Sequence, residues 1–186
     1  MIQNQTERLS HLSEVLLDMT GIQSVERSDS ISLAELTDEV CCDLAAIADQ
    51  KKVELIQEEG DCTVTGSYLL LYRAVYNLVE NAIKYNHSGG KVTVKISQKK
   101  DLPAAHSKPA DYALVEVTDT GIGISPEFQE KIFAPFFRVD KSRSRAMGGA
   151  GLGLALVAEI ARQHGGQVKV LASSEKGSTI ALVLPI

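Results

Sequence analysis

From Tyr68 to Asn86 the chain runs without a glycine or a proline. Its apolar residues Leu71, Ala74, Val75, Leu78, Val79 and Ala82 recur at three- and four-residue steps, the period of a helix with one broad buried face. Asn77, Asn81 and Lys84 recur at steps of four and three, so they share one side of that helix, away from the centre of the apolar face. Two amides and an ammonium on a helix whose other side must be buried form a polar strip. Taken alone, the strip suits solvated surface as well as a ligand face.

The remaining segments fall into place around this helix. Leu9, Leu12, Val15, Leu16 and Met19 predict an N-terminal helix ending at Gly21, and a polar linker follows over Gln23–Ser30. Ser32 and Glu35 form a capping box for a helix to about Lys51. Short strands are expected at Val53–Gln57 and Cys62–Thr65, and a turn at His87–Gly90. Further strands are expected at Lys91–Ser97 and Tyr112–Thr118, with a long loop over Lys99–Asp111 between them. Pro126–Phe133 reads as a short helix capped by Ser125. Leu152–His164 reads as an apolar helix, and Gln167–Ala172 and Thr179–Leu184 as a closing hairpin. This order predicts an α+β chain: a two-layer α/β sandwich with a mixed sheet, helices on one face, and a remnant helix at the N-terminus.

Composition narrows the function classes. A hydrophobic fraction of 44% over 186 residues supports a real core. A formal net charge of -5 makes general binding to nucleic acid or anionic membrane unfavourable. No apolar run reaches bilayer length and no signal-peptide pattern opens the chain, so a cytoplasmic protein is expected. Cys41, Cys42 and Cys62 have neither disulfide nor zinc spacing and read as idle thiols.

Three glycine-rich segments carry the chemistry. Asp119-Thr120-Gly121-Ile122-Gly123 follows a strand and offers a carboxylate where backbone can approach closely. Gly149-Ala150-Gly151-Leu152-Gly153-Leu154 opens a helix, and its N–H groups can cradle phosphate. It is not a P-loop, because no Gly-Lys-Ser/Thr is present. It is not a dinucleotide turn, because the basic stretch Lys141–Arg145 replaces the preceding strand. Between the two lies Phe133-Ala134-Pro135-Phe136-Phe137-Arg138, an aromatic cluster in a loop. Each segment alone suits an ordinary turn or satellite core as well.

In their joint order these segments resemble the ATP-binding catalytic domain of sensor histidine kinases of two-component systems, members of the GHKL group with a Bergerat-type fold. Asn77–Tyr85 resembles the N box, Asp119–Gly123 the G1 box, Phe133–Arg138 the F box, Gly149–Gly153 the G2 box, and Gly177-Ser178-Thr179 the G3 box. The resemblance covers about Ile31 to Ile186, leaving residues 1–30 as the end of a dimerisation and phosphoacceptor domain plus linker. It implies Asn81 as the Mg²⁺ ligand, with Asn77 and Lys84 on phosphates or metal-bound water. It implies Tyr85 against the nucleotide, and Asp119 as acceptor of the adenine amino group. Gly121, Gly123 and Ile124 would line the base, and Thr179 would close its pocket. Ala134–Gly149 would be the ATP lid, with Arg138 and Lys141 reaching the terminal phosphates; Phe133 would contact the nucleotide, and Gly149, Ala150, Gly151, Leu152, Gly153 and Leu154 would wrap the phosphates. Asn77, Lys84 and Arg138 are thereby implied as the catalytic set.

The implied activity is transfer of the γ-phosphate of Mg-ATP to a histidine on a dimerisation domain, with a response regulator downstream. None of His11, His87, His106 and His164 has the expected acceptor context, and the last three read as surface histidines. The parent kinase in this family is often a dimeric membrane sensor with this domain on the cytoplasmic side. Two alternatives stand beside this reading: a nucleotide-binding regulatory module, and a hydrolytic GHKL ATPase. The second would need a glutamate where Asn77 stands.

Overall fold

The computed structural model describes residues 25–100, 111–139 and 151–186. The expected helix over Met1–Gly21, most of the loop before Tyr112, and Lys141, Arg143, Arg145, Gly149 and Ala150 lie outside the described residues, as do His11 and His106.

The first helix among the described residues, α1 (Leu33–Lys51), is started as the capping box requires: the Ser32 hydroxyl accepts from the Glu35 N–H. Asp61 reinforces the cap by accepting from the Ala34 N–H and the Ser32 hydroxyl, each at 3.1 Å. The second helix, α2 (Tyr68–Lys84), buries Leu70, Leu71, Ala74, Val75, Leu78, Val79, Ala82 and Ile83, the face read from its spacing. The third, α3, spans Gly153–Gln163 and buries Ala155, Leu156, Val157, Ile160 and Ala161.

These helices cover one face of a five-stranded sheet made of β2 (Glu54–Gln57), β4 (Lys91–Lys99), β5 (Tyr112–Asp119), β6 (Gln167–Ser174) and β7 (Gly177–Pro185). The strand order is β2-β4-β5-β7-β6. Only β2 and β4 run parallel; the other pairs are antiparallel, so the sheet is mixed as expected. Along β5, Ala113, Val115 and Val117 join the main core under the helices, while Tyr112 and Leu114 join a smaller cluster with Ala181 and Val183 of β7 on the other face. Asp119 continues the helix-side row by the two-residue period.

Three local readings change. The polar linker ends early, because Asp29–Ser32 is a strand, β1, antiparallel to β3 (Thr63–Gly66) with Ile31 opposite Val64. One apolar residue between two serines is too short a pattern to show alternation. Pro126–Phe133 is not one helix but two 3₁₀ turns, Pro126–Phe128 and Lys131–Phe133, and the Ser125 side chain caps neither. A segment this short cannot offset the cost of helix nucleation. His164 is half-buried rather than a surface group: its Nε2 accepts from the Ser67 N–H at 3.1 Å. The thiols also differ from one another. Cys42 is exposed, and burial with Asp38 nearby pushes half-buried Cys41 up to about 11.

Candidate functional site

Asn77 and Asn81 each donate their side-chain N–H to a backbone carbonyl one turn back, Arg73 and Asn77 respectively, at 2.8 Å. This anchors both amides through their N–H groups and leaves each Oδ1 as an acceptor. The amino end of α3 lies directly against them. A Cβ on Gly153 would sit 2.6 Å from Asn77 Oδ1 and 3.5 Å from Asn81 Nδ2, so a side chain there would have to displace the Asn77 amide. The Asn77–Asn81 strip and Gly153 therefore adjoin, brought together by the packing of α2 on α3.

At the carboxyl end of α2, the Lys51 ammonium of α1 donates to the carbonyls of Ile83 and Lys84, at 3.5 and 2.5 Å. Lys84 is half-buried, with its Nζ 5.8 Å from the Tyr85 ring centroid. Burial holds its pKa below the ordinary lysine range; Glu80 opposes this, and Arg138 and Lys51 add to it. The Arg138 charge is therefore felt at Lys84. Arg138 is held in this position by the loop before it. The Phe136 N–H bonds to the Gly151 carbonyl at 3.0 Å, and the Arg138 side chain passes beside Gly151. Phe128 and Phe137 pack with ring centroids 5.7 Å apart and planes tilted by 48°, and the turn holding Phe133 packs on α3.

The Asp119 corner closes the site on the other side of Tyr85. Asp119 Oδ1 accepts from the Gly121 N–H at 2.7 Å, and the Ile122 N–H bonds to the Tyr85 carbonyl at 3.3 Å. Burial pushes the Asp119 carboxyl above its usual range, against the amides of Gly121 and Ser178. Gly123, at φ 70°, is pressed so close to the β6–β7 hairpin that a Cβ would lie 1.8 Å from the Ser174 carbonyl oxygen. Ile124 follows it in the same loop.

Strand register puts the Thr179 and Asp119 side chains on opposite faces of the sheet, though both line one cavity at its edge. Thr179 pairs with Thr118, and the two hydroxyls are 3.0 Å apart on the helix-free face. There both line a shallow trough of about 300 Å³ with Thr93, Lys95 and Glu116. Asp119 pairs with Ser178, so the hydroxyl on the carboxylate's own face belongs to Ser178, which is buried at 5% exposure. Spacing could not reveal this, because a one-residue change in register exchanges the two faces. Sequence reading also missed Lys51, whose cap on α2 depends on how α1 lies across it.

Asn77, Asn81, Lys84, Tyr85, Asp119, Gly121, Arg138, Gly151 and Gly153 are thus brought to one end of the α layer. Such an arrangement offers oxygen ligands, two cations and a helix amino end beside a half-buried carboxylate that can accept a hydrogen bond. The chain belongs to the family of histidine kinase-, DNA gyrase B- and HSP90-like ATPases, whose pattern residues 66–186 match. It is similar to the sensor-like histidine kinase SenX3 of Mycobacterium tuberculosis, 35% identical over 97% of this chain and 43% of the relative. Sensor histidine kinase RppB of Synechocystis is likewise 35% identical, over 100% of this chain and 40% of that protein. Among solved structures, the mycobacterial sensor histidine kinase MprB superposes with a TM-score of 0.67 at 29% identity, covering 85% of this chain and 97% of that one. The chain spans less than half the length of these two curated relatives.

Proposed function

We propose that residues 31–186 form the ATP-binding, phosphoryl-donating part of a sensor histidine kinase. It would pass the γ-phosphate of Mg-ATP to a histidine on a helical dimerisation domain, to which residues 1–30 would belong. The observation that carries this reading is the approach of Gly153 to Asn77 and Asn81, with Asp119 at the same end of the α layer. Asp119 would take the adenine amino group through the oxygen that Gly121 leaves open, with Ser178 beside it and Tyr85, Gly123 and Ile124 around the base. Lys84 and Arg138 repel each other in the free chain, and a polyphosphate placed between them would relieve that repulsion. Leu152 and Leu154 would seat the phosphate-facing turn in the core, and Lys141, Gly149 and Ala150 would close over the phosphates.

The donors present fit magnesium. Among the described residues no three His, Cys, Asp or Glu side chains gather to hold a metal. The Asn81 Oδ1 is a neutral oxygen suited to a hard cation whose other ligands are phosphate and water. Such an ion would neutralise phosphate charge during transfer.

Hydrolysis is the weaker reading. Asn77 is no base, and the Glu80 charge is felt by Lys84 and Tyr76 on its own helix. The parent is proposed to be a dimeric sensor with this domain on the cytoplasmic side and a response regulator as its onward partner. Relatives named as sensor kinases support this. Among the described residues no helix is long and apolar enough to cross a membrane.

Incubation with γ-labelled ATP, alone and with the parent's acceptor domain, tests the proposal. Acid-labile, base-stable label is expected on the acceptor domain and not on this chain. Nucleotide binding with label on neither protein would favour a regulatory module instead.

A further inference from the structure

The loop after Asp119 is tied down at both ends. Its near end is held by the Gly121 N–H on Asp119 and the Ile122 N–H on the Tyr85 carbonyl. At its far end the Ile124 N–H donates to the Ser173 hydroxyl at 2.7 Å, and the Ile124 carbonyl accepts from the Gln129 side chain at 3.2 Å. Ser173 lies in β6 opposite Ser178, their hydroxyls 2.9 Å apart, and Ser178 is the strand partner of Asp119. A serine hydroxyl has one proton and two lone pairs. Accepting from Ile124 leaves Ser173 its proton for Ser178 or for the Gly177 carbonyl at 3.5 Å. One half-buried side chain therefore joins the loop, the hairpin and the strand position facing the carboxylate.

We propose that Ser173 is a positioning residue for base selection: its hydroxyl ties the far end of the Gly121–Ile124 loop to the β6–β7 hairpin and thereby holds the Asp119 carboxylate in the orientation that reads adenine. The inference rests on the reading of Asp119 as the adenine acceptor. The chain of contacts is short. Gly121 and Ile124 are the two ends of the loop, and the Gly121 amide occupies one carboxylate oxygen of Asp119. If the Ile124 end lifts off the hairpin, Gly121 can move with it, and the carboxylate loses one of the two amides, Gly121 and Ser178, that orient it. Gly123 cannot replace the tie, because its contact with the Ser174 carbonyl is close packing and not a hydrogen bond. No motif points to Ser173, and the register shift between Val170 and Ala172 sets which face it occupies.

The test uses the whole chain with Ser173→Ala and Ser173→Thr. Amide hydrogen exchange at Ile124 is measured without nucleotide, and calorimetry gives the ratio of ATP to GTP affinity. Loss of one hydrogen bond should speed Ile124 exchange and cut the ATP preference, each by about fivefold, in the alanine variant. The thermal melt should hold. Threonine keeps the hydroxyl and should restore both. Unchanged Ile124 exchange, or an unchanged ATP-to-GTP ratio with faster exchange, would overturn the proposal, as would a threonine variant that behaves like alanine. A wild-type chain with no preference between ATP and GTP would overturn the adenine reading of Asp119 and the selective role with it. Faster Ile124 exchange in the alanine variant would then still locate the tie, so the two failures are distinguishable.

Discussion

Asp119 sits half-buried at the end of β5, and burial makes it hold its proton more tightly in the folded chain than in the unfolded one. The sign follows from linkage. The penalty is absent below the ordinary aspartate pKa of about 3.9 and complete once pH has risen through the folded value. At neutral pH the carboxylate therefore destabilises the fold, which suits a group kept for a ligand. Asp119→Asn keeps an acceptor for the Gly121 amide but loses the charge. Its thermal melt at neutral pH should rise, while ATP affinity falls about tenfold or more. A melt that falls together with affinity would mark Asp119 as structural.

His164 has the opposite sign. Its Nδ1 is 2.8 Å from the Ile160 carbonyl and so carries the proton, while Nε2 accepts from Ser67. Burial lowers its pKa, the Ile160 carbonyl opposes this, and Arg27 adds to it. Stability should therefore fall as pH drops below about 6.5, where the unfolded chain takes up the proton first. Urea midpoints at about pH 7.5 and about pH 5.5 should differ more for the wild type than for His164→Gln. Equal slopes would contradict the neutral, capping role.

At the scale of elements, α2 and α3 are fixed to each other at two places: Ser67 on His164 at one end, and Gly153 on Asn77 at the other. The second contact is also the site. Gly153→Ala should leave the far-UV spectrum unchanged yet weaken ATP binding, because the added methyl displaces the Asn77 amide. Calorimetry showing wild-type affinity would count against the shared site. Both helices were legible in the sequence because a long amphipathic period is a strong local signal. The antiparallel β4–β5 pair was legible for the same reason, with period two. Strand β1 was not, because its stability comes from pairing with β3 rather than from its own pattern. The two 3₁₀ turns were misread as one helix because Ser125-Pro126 has the composition of a helix start, whatever follows it.

For the molecule as a whole, a mixed sheet under one helical layer gathers segments far apart in sequence at one end. The order of the glycine-rich boxes made most of that site legible. Register is what the boxes could not convey: Ser178, not Thr179, shares the face of Asp119, and only the pairing of β5 with β7 shows it. Ser173 was hidden for the same reason. If the site is as described, Asp119 selects the base and Asn81 holds the metal, so the two requirements should be separable in one experiment. Titration calorimetry with ATP and with GTP, each with magnesium and with EDTA, makes that measurement. The expected result is strong binding for ATP with magnesium, much weaker binding for ATP with EDTA, and weak binding for GTP in both conditions. Equal affinity for ATP and GTP, or ATP binding indifferent to EDTA, would contradict it.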